Sequence, residues 1–414
     1  MVIEKKTFWI LLLFVFVPAL TNGQTLKASG KYKGEITDSN SKEPLENVYV
    51  ILNGTSEGTI TNFGGYFEIS IPAGVGADTL RISHLGYSLK KVALHELNQQ
   101  ALNLISLTPS LTMLQEVVIS AGVSPSEILE KVRENLNTNF SQKPFSSQLF
   151  YRHQMDSNDS LQYIEEAAID FYDAKGFKRE AKSKISKGKF LQVKQLRKST
   201  SRDSNQNVSL WDLPVFWTND PILSINNLLT KSQEKDYSLK VIGRKVYGDA
   251  EVIEIDFSCL KPTVSNTGYG FPSPLSYDGK LFVDIKTYAI IKYVATVKWK
   301  EKLVSDKKFL GRFNVSTPSN FKRSAEVEFS YKKFAGSYFL HYAKMRDHLR
   351  FIDAKKGDSI TRSYNNELLN VRTNVQTPKI LSETVLRVDT KDIPFDPTFW
   401  ETFNFISEVR KSNK

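Results

Sequence analysis

Residues 54–58 read GTSEG, which fits the spacing G-x-S-x-G in which a serine can act as a nucleophile. Such a nucleophile elbow needs a strand before the serine and a helix after it. The motif is followed by residues 59–61 (TIT), which are β-branched or apolar and favour a strand. His84 is the histidine nearest to this motif, and it falls within a strand-like run. We therefore interpret residues 54–58 as a hairpin loop and predict no catalytic role for Ser56.

The histidines do not have the spacing of a zinc site. A zinc carboxypeptidase needs an H-x-x-E pair and a distant third histidine, and no histidine here has glutamate three positions later. His341 and His348 are seven residues apart on a predicted strand, so alternation places them on opposite faces. We predict no metal site, no cofactor and no catalytic residue. The five histidines are His84, His95, His153, His341 and His348.

The densest acidic group is formed by Glu165, Glu166, Asp170 and Asp173. Two carboxylates can act as general acid and base when their surroundings separate their pKa values. On a strand, Glu166 and Asp170 share a face but lie about 13 Å apart by the rise per residue. We interpret the group as the solvated edge of a sheet.

The N-terminal residues have the three parts of a secretory signal peptide. Residues 4–6 (EKK) precede an apolar run at 8–17, and small residues follow at 19–23. We predict a signal peptide over residues 1–23, with cleavage between Gly23 and Gln24. An uncleaved membrane anchor is the alternative, although about ten apolar residues are short for a span. No later segment is long and apolar enough to cross a membrane, so the mature chain should have no transmembrane span.

The net charge limits the classes of binding partner, and the cysteine content limits the possible disulfides. The formal net charge is +11 and the pI is near 9.3, which favours anionic partners or a solvated basic surface. An exported protein does not meet nucleic acid, so we predict no nucleic-acid partner. Cys259 is the only cysteine, so no intrachain disulfide can form. The basic clusters are Lys178–Lys189, Lys194–Arg202 and Lys298–Lys308.

The elements that would carry these residues are mostly strands. From Lys31 to Leu107 the chain divides into short β-like runs, separated by turns such as Asn62-Phe63-Gly64-Gly65. Residues 48–52 are continuously apolar, as in a buried sandwich strand, whereas residues 66–71 alternate. This pattern predicts a β-sandwich.

This region resembles the carboxypeptidase regulatory-like domain, a transthyretin-like β-sandwich of about seven strands. The similar segments are residues 34–74, with Pro44-Leu45 before the second strand, and residues 78–94 (DTLRISHLGYSLKKVAL). The resemblance implies an accessory module that does not cut peptides, in an envelope protein of the Bacteroidota type. Residues 114–119 (LQEVVI) resemble the segment that joins such domains to TonB-dependent receptors.

The region after residue 123 is predicted to open with a helix and continue as antiparallel strands. Ser124 to Glu127 reads as a capping box with proline at the first helical position, and the helix should run to about Asn137. A second helix is predicted from Asp220. Residues 289–299 and 324–331 alternate, with Tyr293 and Trp299 on the buried face. An aromatic pair of this kind is usually part of a core.

Two segments of this region resemble the half-barrel fold of periplasmic lipoprotein carriers. They are residues 277–300 (YDGKLFVDIKTYAIIKYVATVKWK) and 325–346 (AEVEFSYKKFAGSYFLHYAKMR). Gly279, Asp284, Thr287 and Ile290 fit its strand-turn-strand pattern. The resemblance implies a face that binds acyl chains or docks a protein.

The sequence therefore predicts a mainly β protein. Its parts are a signal peptide (1–23), a seven-stranded sandwich (24–110), a linker (111–123), and a larger antiparallel half-barrel-like sheet with a few helices (124–414). We expect an exported, periplasmic or outer-membrane-associated protein that binds a lipid, glycan or protein partner of the cell envelope without catalysis. An envelope hydrolase, associated with peptides or glycans, stays open as the alternative. The oligomeric state is not readable from the sequence.

Overall fold

The computed structural model describes residues 30–110, 124–200, 208–210, 213–270, 274–299, 318–353, 357–384, 387–388 and 393–408. The predicted signal peptide, its cleavage position at Gly23 and Gln24, and the linker 111–123 lie outside the described residues. The described residues are mainly strands with few helices, as predicted. None of the described helices is both long and apolar enough to cross a membrane.

The first part of the chain is a β-sandwich of two small sheets. One sheet has the order β4-β1-β7, in which β1 and β7 are parallel, and the other has the order β3-β2-β5-β6. Their inward side chains, including Tyr32, Ile36, Val50, Phe67 and Ile82, form one apolar core. The strands are β1 (Gly30–Asp38), β2 (Tyr49–Leu52), β3 (Gly58–Ile60), β4 (Tyr66–Ile71), β5 (Thr79–Ser83), β6 (Lys90–Ala93) and β7 (Leu102–Leu107).

The G-x-S-x-G segment is the loop of the β2–β3 hairpin, as predicted. β2 pairs with β3 in antiparallel register, with Ile51 opposite Gly58, so no helix follows the serine. Gly54 has a φ of 76°, which favours glycine. A Cβ at Gly58 would lie 2.8 Å from the Val50 carbonyl oxygen, so the hairpin requires glycine there too.

The second part opens with helix α1 (Pro125–Asn139), which ends two residues later than predicted. The predicted capping box is present: the Glu127 amide donates to Ser124 Oγ at 3.2 Å, and the Ser124 amide donates to the Glu127 carboxylate at 2.6 Å. Ile128, Leu129 and Val132 are buried against the sheet that follows. Helix α1 therefore packs on the sheet through its apolar face.

That sheet has ten strands in the order β10-β9-β8-β18-β17-β16-β15-β14-β13-β12, all antiparallel. Within the part of the chain that the structure describes, its two edge strands, β10 and β12, do not pair with each other, so the sheet is open. The strands are β8 (Phe145–Ser157), β9 (Ser160–Asp173), β10 (Lys189–Thr200), β12 (Tyr237–Tyr247), β13 (Ala250–Cys259), β14 (Pro274–Asp284), β15 (Ile290–Trp299), β16 (Pro318–Phe334), β17 (Ser337–Asp353) and β18 (Ser359–Asn374).

The ten-stranded sheet buries both of its faces. We call one the helix face, because Leu149, Ile169 and Tyr293 on it pack against α1 and against helix α3 (Leu213–Asn219). We call the other the sandwich face, because Phe150, Tyr342, Leu369 and neighbouring side chains on it pack against Tyr49, Ile51 and Ile60 of the sandwich. The remaining elements are helices α2 (Lys182–Ile185) and α4 (Val264–Thr267) and the short pair β11 (Val208–Ser209) and β19 (Arg387–Val388).

Residues 393–408, which we call the strap, lie between the sandwich and the sandwich face. The strap contains helix α5 (Pro397–Thr402), whose N-cap Asp396 accepts hydrogen bonds from the Thr398 and Phe399 amides. Trp400, Phe405 and Ile406 of the strap join the apolar cluster between the two parts. The sequence analysis did not predict this segment.

Two expectations for the second part were wrong. The helix predicted from Asp220 is instead α3, which ends at Asn219, because Asp220 accepts the Ile222 amide at 2.8 Å and forms a turn. His341 and His348 do not lie on opposite faces. The register passes from Tyr331–Leu340 to Ser330–Tyr342, so His341 is an extra residue in a bulge and its ring contacts Tyr49 of the sandwich.

Candidate functional site

Ser56 joins the sandwich to the sheet. Its hydroxyl accepts the Thr373 amide at 2.9 Å and donates to the Thr373 carbonyl at 3.2 Å. The Ser56 hydroxyl therefore donates to and accepts from the backbone of the same residue of β18, as in a bridge between strands. This arrangement gives Ser56 a docking role and leaves no histidine in the position of a base.

The predicted acidic group is not a solvated edge, and that expectation was wrong. β9 lies inside the sheet, and Glu166, Asp170 and Asp173 are buried. Glu166 pairs with Arg152 and Arg197, both at 2.6 Å, and Asp170 pairs with Lys379 at 2.5 Å. Glu166 and Asp170 are held by separate cations, so these two carboxylates do not form an acid–base pair.

The other singled-out residues are part of the core or its edge. Tyr293 and Trp299 belong to the helix-face core, as predicted, and the Trp299 indole donates to the Gly270 carbonyl at 3.2 Å. Burial raises the pKa of the Cys259 thiol, which lowers its reactivity. His153 bonds Asn366 and Tyr163, and His348 bonds Ser363. Among the described residues, no three His, Cys, Asp or Glu side chains are grouped as metal ligands.

The seam between the sandwich and the sheet contains charged groups as well as apolar ones. Glu46 bonds Lys344 at 2.9 Å, and Arg81 bonds Asp249 at 2.8 Å. The Lys332 Nζ atom is buried and has no hydrogen-bond partner among the described residues. Burial lowers the Lys332 pKa to about 7, with further lowering by Arg81 and an opposing effect of Glu57.

Two histidines in the seam are neutral at ordinary pH. Burial, reinforced by the charge of Lys332, lowers the pKa of His341 to about 3. Burial and the charge of Lys292 lower the pKa of His84 to about 4, against an opposing hydrogen bond at Asn47. The seam is therefore dry enough to disfavour positive charge on both imidazoles.

Among the described residues, a small cavity lies on the helix face. Its volume is about 70 Å³, and it is lined mainly by aromatic and aliphatic side chains such as Phe145, Phe171 and Trp217. Binding pockets for small molecules usually measure about 300–1,000 Å³. Side chains of α3 and of the turn that follows it, including Trp217, Ile222 and Leu223, line this cavity.

Two carboxylates line this cavity, but neither is free for acid–base chemistry. Asp173 accepts the Lys175 and Gly176 amides and the Lys189 amine. Asp220 accepts the Tyr331 hydroxyl at 2.5 Å, and burial raises its pKa to about 6. The cavity therefore gives no support to the hydrolase alternative.

A larger groove lies at the end of β17 that is remote from the strap, and residues from both faces of the sheet line it. Its volume is about 550 Å³. Two rows of cross-strand neighbours contribute lining residues to the groove. One row is centred on His348 and the other on Arg350. The first row is Lys298, Ser324, His348, Ser363 and Asp156, and the second is Lys322, Arg350 and Thr361. We call it the basic groove.

The charge of the basic groove is predominantly positive. Among the described residues, Lys298 and Arg350 form no salt bridge, and the Arg350 Nε atom donates only to Ser359 Oγ at 3.3 Å. The Asp156 carboxylate accepts from the amides of Gln154 and Asn365 instead of from these cations. Hydroxyl and imidazole groups lie beside the cations, as in sites that bind phosphate oxygens.

Sequence reasoning assigned only one residue of this groove, Lys298, to a basic cluster. Lys298 begins the third basic cluster, whereas Lys322 and Arg350 come from β16 and β17 and meet it through register. The other two clusters lie elsewhere: Lys189 is buried against Asp173, and Arg197 is held by Glu166. Single cations in alternating strands give no local signal, so the groove was not predictable.

Comparisons with known proteins support the first resemblance. Residues 32–119 match the family model described as a CarboxypepD_reg-like domain. No curated protein matches the chain. A solved LolA superfamily protein from Nitrosomonas europaea is 13% identical, over 60% of this chain and 94% of that one, with a TM-score of 0.19. A score of that size carries no argument about fold or function, so the likeness to lipoprotein carriers stays a prediction.

Proposed function

We propose that this chain is a non-catalytic exported protein of the cell envelope, which binds a phosphate-bearing envelope component through the basic groove. The observation that carries the proposal is the convergence of Lys298, His348 and Arg350 in one groove of about 550 Å³. The groove lies within the usual range for ligand sites, about 300–1,000 Å³. Export, a periplasmic or outer-membrane location and a Bacteroidota origin belong to this proposal.

The arrangement favours phosphate over an acyl chain. Lys298 and Arg350 are exposed, so a ligand can reach them without displacing an internal ion pair. The hydroxyls of Ser324, Ser363 and Thr361 add donors between the cations. The cavity on the helix face, at about 70 Å³, is in contrast too small for a lipid tail. We therefore expect recognition of a headgroup or a phosphorylated sugar.

The sandwich serves as a rigid docking module in this proposal. The hydrogen bonds of Ser56, the ion pairs of Glu46 and Arg81, and the strap hold it against the sheet. This holds the sandwich in a fixed position on the sheet that carries the basic groove.

The test uses two phosphate sources and a charge-matched control. The double variant Lys322→Glu/Arg350→Glu reverses two cations of the groove, and Lys90→Glu/Lys91→Glu makes the same change in net charge on exposed positions of β6. Flotation measures binding to vesicles of phosphatidylglycerol and phosphatidylcholine, and calorimetry measures binding of glucose 6-phosphate.

We expect the groove variant to lose binding and the β6 variant to keep it. Binding to vesicles alone would identify a lipid headgroup, and binding of the soluble ester would identify a phosphorylated sugar. Both should weaken with salt, because exposed charges are screened. Equal losses in the two variants, or no binding to either probe, would contradict the proposal.

A further inference from the structure

A second groove lies where the strap passes between the sandwich and the edge strand β10. Its volume is about 450 Å³. It does not share any lining residue with the basic groove. Its lining residues come from three separate parts of the chain: Lys31, Lys33, Tyr66 and Glu68 of the sandwich, Arg197 of β10, and Phe395, Pro397, Trp400, Glu401, Phe405, Ser407 and Glu408 of the strap. We call it the strap groove.

The backbone around the strap groove is fixed by buried side-chain amides. Asn404 accepts the Ser70 amide at 2.7 Å and donates to the Ser70 carbonyl at 3.2 Å. Asn62 donates to the Ser407 and Glu408 carbonyls at 3.2 and 3.1 Å. These bonds hold the strap along β4, so the groove is formed before any ligand arrives.

The charges of the strap groove are balanced, unlike those of the basic groove. Three cations face three carboxylates, and Lys31 bonds Glu68 at 2.7 Å while Arg197 lies 3.9 Å from Glu408. Paired charges of this kind present donors and acceptors side by side. The strap groove therefore does not select an anion, and it suits a ligand whose groups both donate and accept.

The strap groove also offers an aromatic surface. Phe395 is 56% exposed at its rim. Trp400 and Ser407 are only 4% and 3% exposed, yet the Trp400 Nε1 and Ser407 Oγ atoms have no hydrogen-bond partner among the described residues. A buried polar atom without a partner costs free energy, which an ordered water would recover.

We infer that the strap groove binds a neutral oligosaccharide. A sugar ring has an apolar C–H face that can stack on Phe395, and each of its hydroxyls donates and accepts. Paired acids and bases beside an exposed aromatic ring match both properties. The inference does not depend on the basic groove, because it involves different residues and uncharged ligands.

Calorimetry of the whole chain with maltotetraose, cellotetraose and chitotetraose tests the inference. We expect at least one sugar to bind at roughly 1 mM or below. Phe395→Ala should weaken that binding roughly tenfold, and Phe395→Tyr, which keeps the ring, should retain it. Ile380→Ala is the matched control, because Ile380 is 74% exposed and does not line the strap groove.

Absence of binding by all three sugars would overturn the inference. An equal loss for Phe395→Ala and Ile380→Ala would overturn it too, since a general loss of apolar surface would then account for the effect. Retained sugar binding in Lys322→Glu/Arg350→Glu is also expected, which separates this site from the basic groove.

Discussion

Replacing Lys332 with methionine should stabilise the protein at neutral pH. Lys332 carries a buried amine with no hydrogen-bond partner among the described residues, in the seam between the sandwich and the sheet. Its pKa is lowered from 10.5 to about 7, chiefly by burial. At about 1.4 kcal/mol per pH unit, this corresponds to at most ~5 kcal/mol of lost stability.

The measurable gain should be smaller than that limit. Water can enter and the side chain can move, so we expect the methionine variant to gain about 2 kcal/mol in the free energy of unfolding at pH 7. The cost of Lys332 is fully present below pH 7, where both states bind the proton. It disappears as the pH rises above 10.5, where neither state binds the proton. At about pH 9.5 the gain should therefore be smaller than at pH 7.

Urea unfolding of Lys332→Met at both pH values measures this gain. Lys333→Met is the control, because Lys333 is the adjacent residue and is exposed. A gain that does not change with pH would refute the electrostatic reasoning. So would a destabilised Lys332→Met variant, or an equal gain in the control.

Three further predictions concern the docking of the sandwich. Ser56→Ala should cost roughly 1–3 kcal/mol, because the Thr373 amide and carbonyl lose their partner; urea unfolding measures this, with exposed Ser41→Ala unchanged. Asn404→Ala should cost about 2 kcal/mol and expose the strap to proteases, since two bonds to Ser70 are lost; an unchanged cleavage rate would argue against it. The free energy of unfolding should fall as the pH drops from 6.5 towards 4, because the unfolded chain binds protons that folded His84 and His341 exclude; His84→Gln/His341→Gln should flatten this decline, and a flat wild-type profile would contradict it.

The sequence predicted the local elements best where one physical rule dominates. The capping box at Ser124 and Glu127 fixes the start of α1, and glycine requirements identify the loop before Gly58. Alternation placed Tyr293 in the core correctly. The residues of β2 are continuously apolar, rather than alternating, because both faces of this strand are buried. Val50 and Leu52 face the sandwich core, whereas Tyr49 and Ile51 face the ten-stranded sheet.

The failures come from interactions that no local pattern contains. Glu166 and Asp170 suggested a solvent-exposed edge of a sheet. Instead, β10 pairs with β9 and provides Arg197, which forms a salt bridge with Glu166. Alternation predicted that His341 and His348 lie on opposite faces, but a bulge at His341 places both on the sandwich face. The strap had one signal, the aromatic cluster FWETFNF at residues 399–405, which the sequence analysis left unassigned.

The long reach of the strap sets the order in which the molecule can fold. Asn62 and Glu408 are 346 residues apart in the chain, and Arg152 and Ile406 are 254 apart. Closing contacts of this separation slows folding, because the chain entropy is lost before the contact forms. The sandwich is synthesised hundreds of residues before the strap. Until the strap is available, the side chains of Tyr49, Ile51 and Ile60 are more exposed to solvent than in the folded protein. A chaperone that shields this apolar surface would therefore have its longest period of action between those two events.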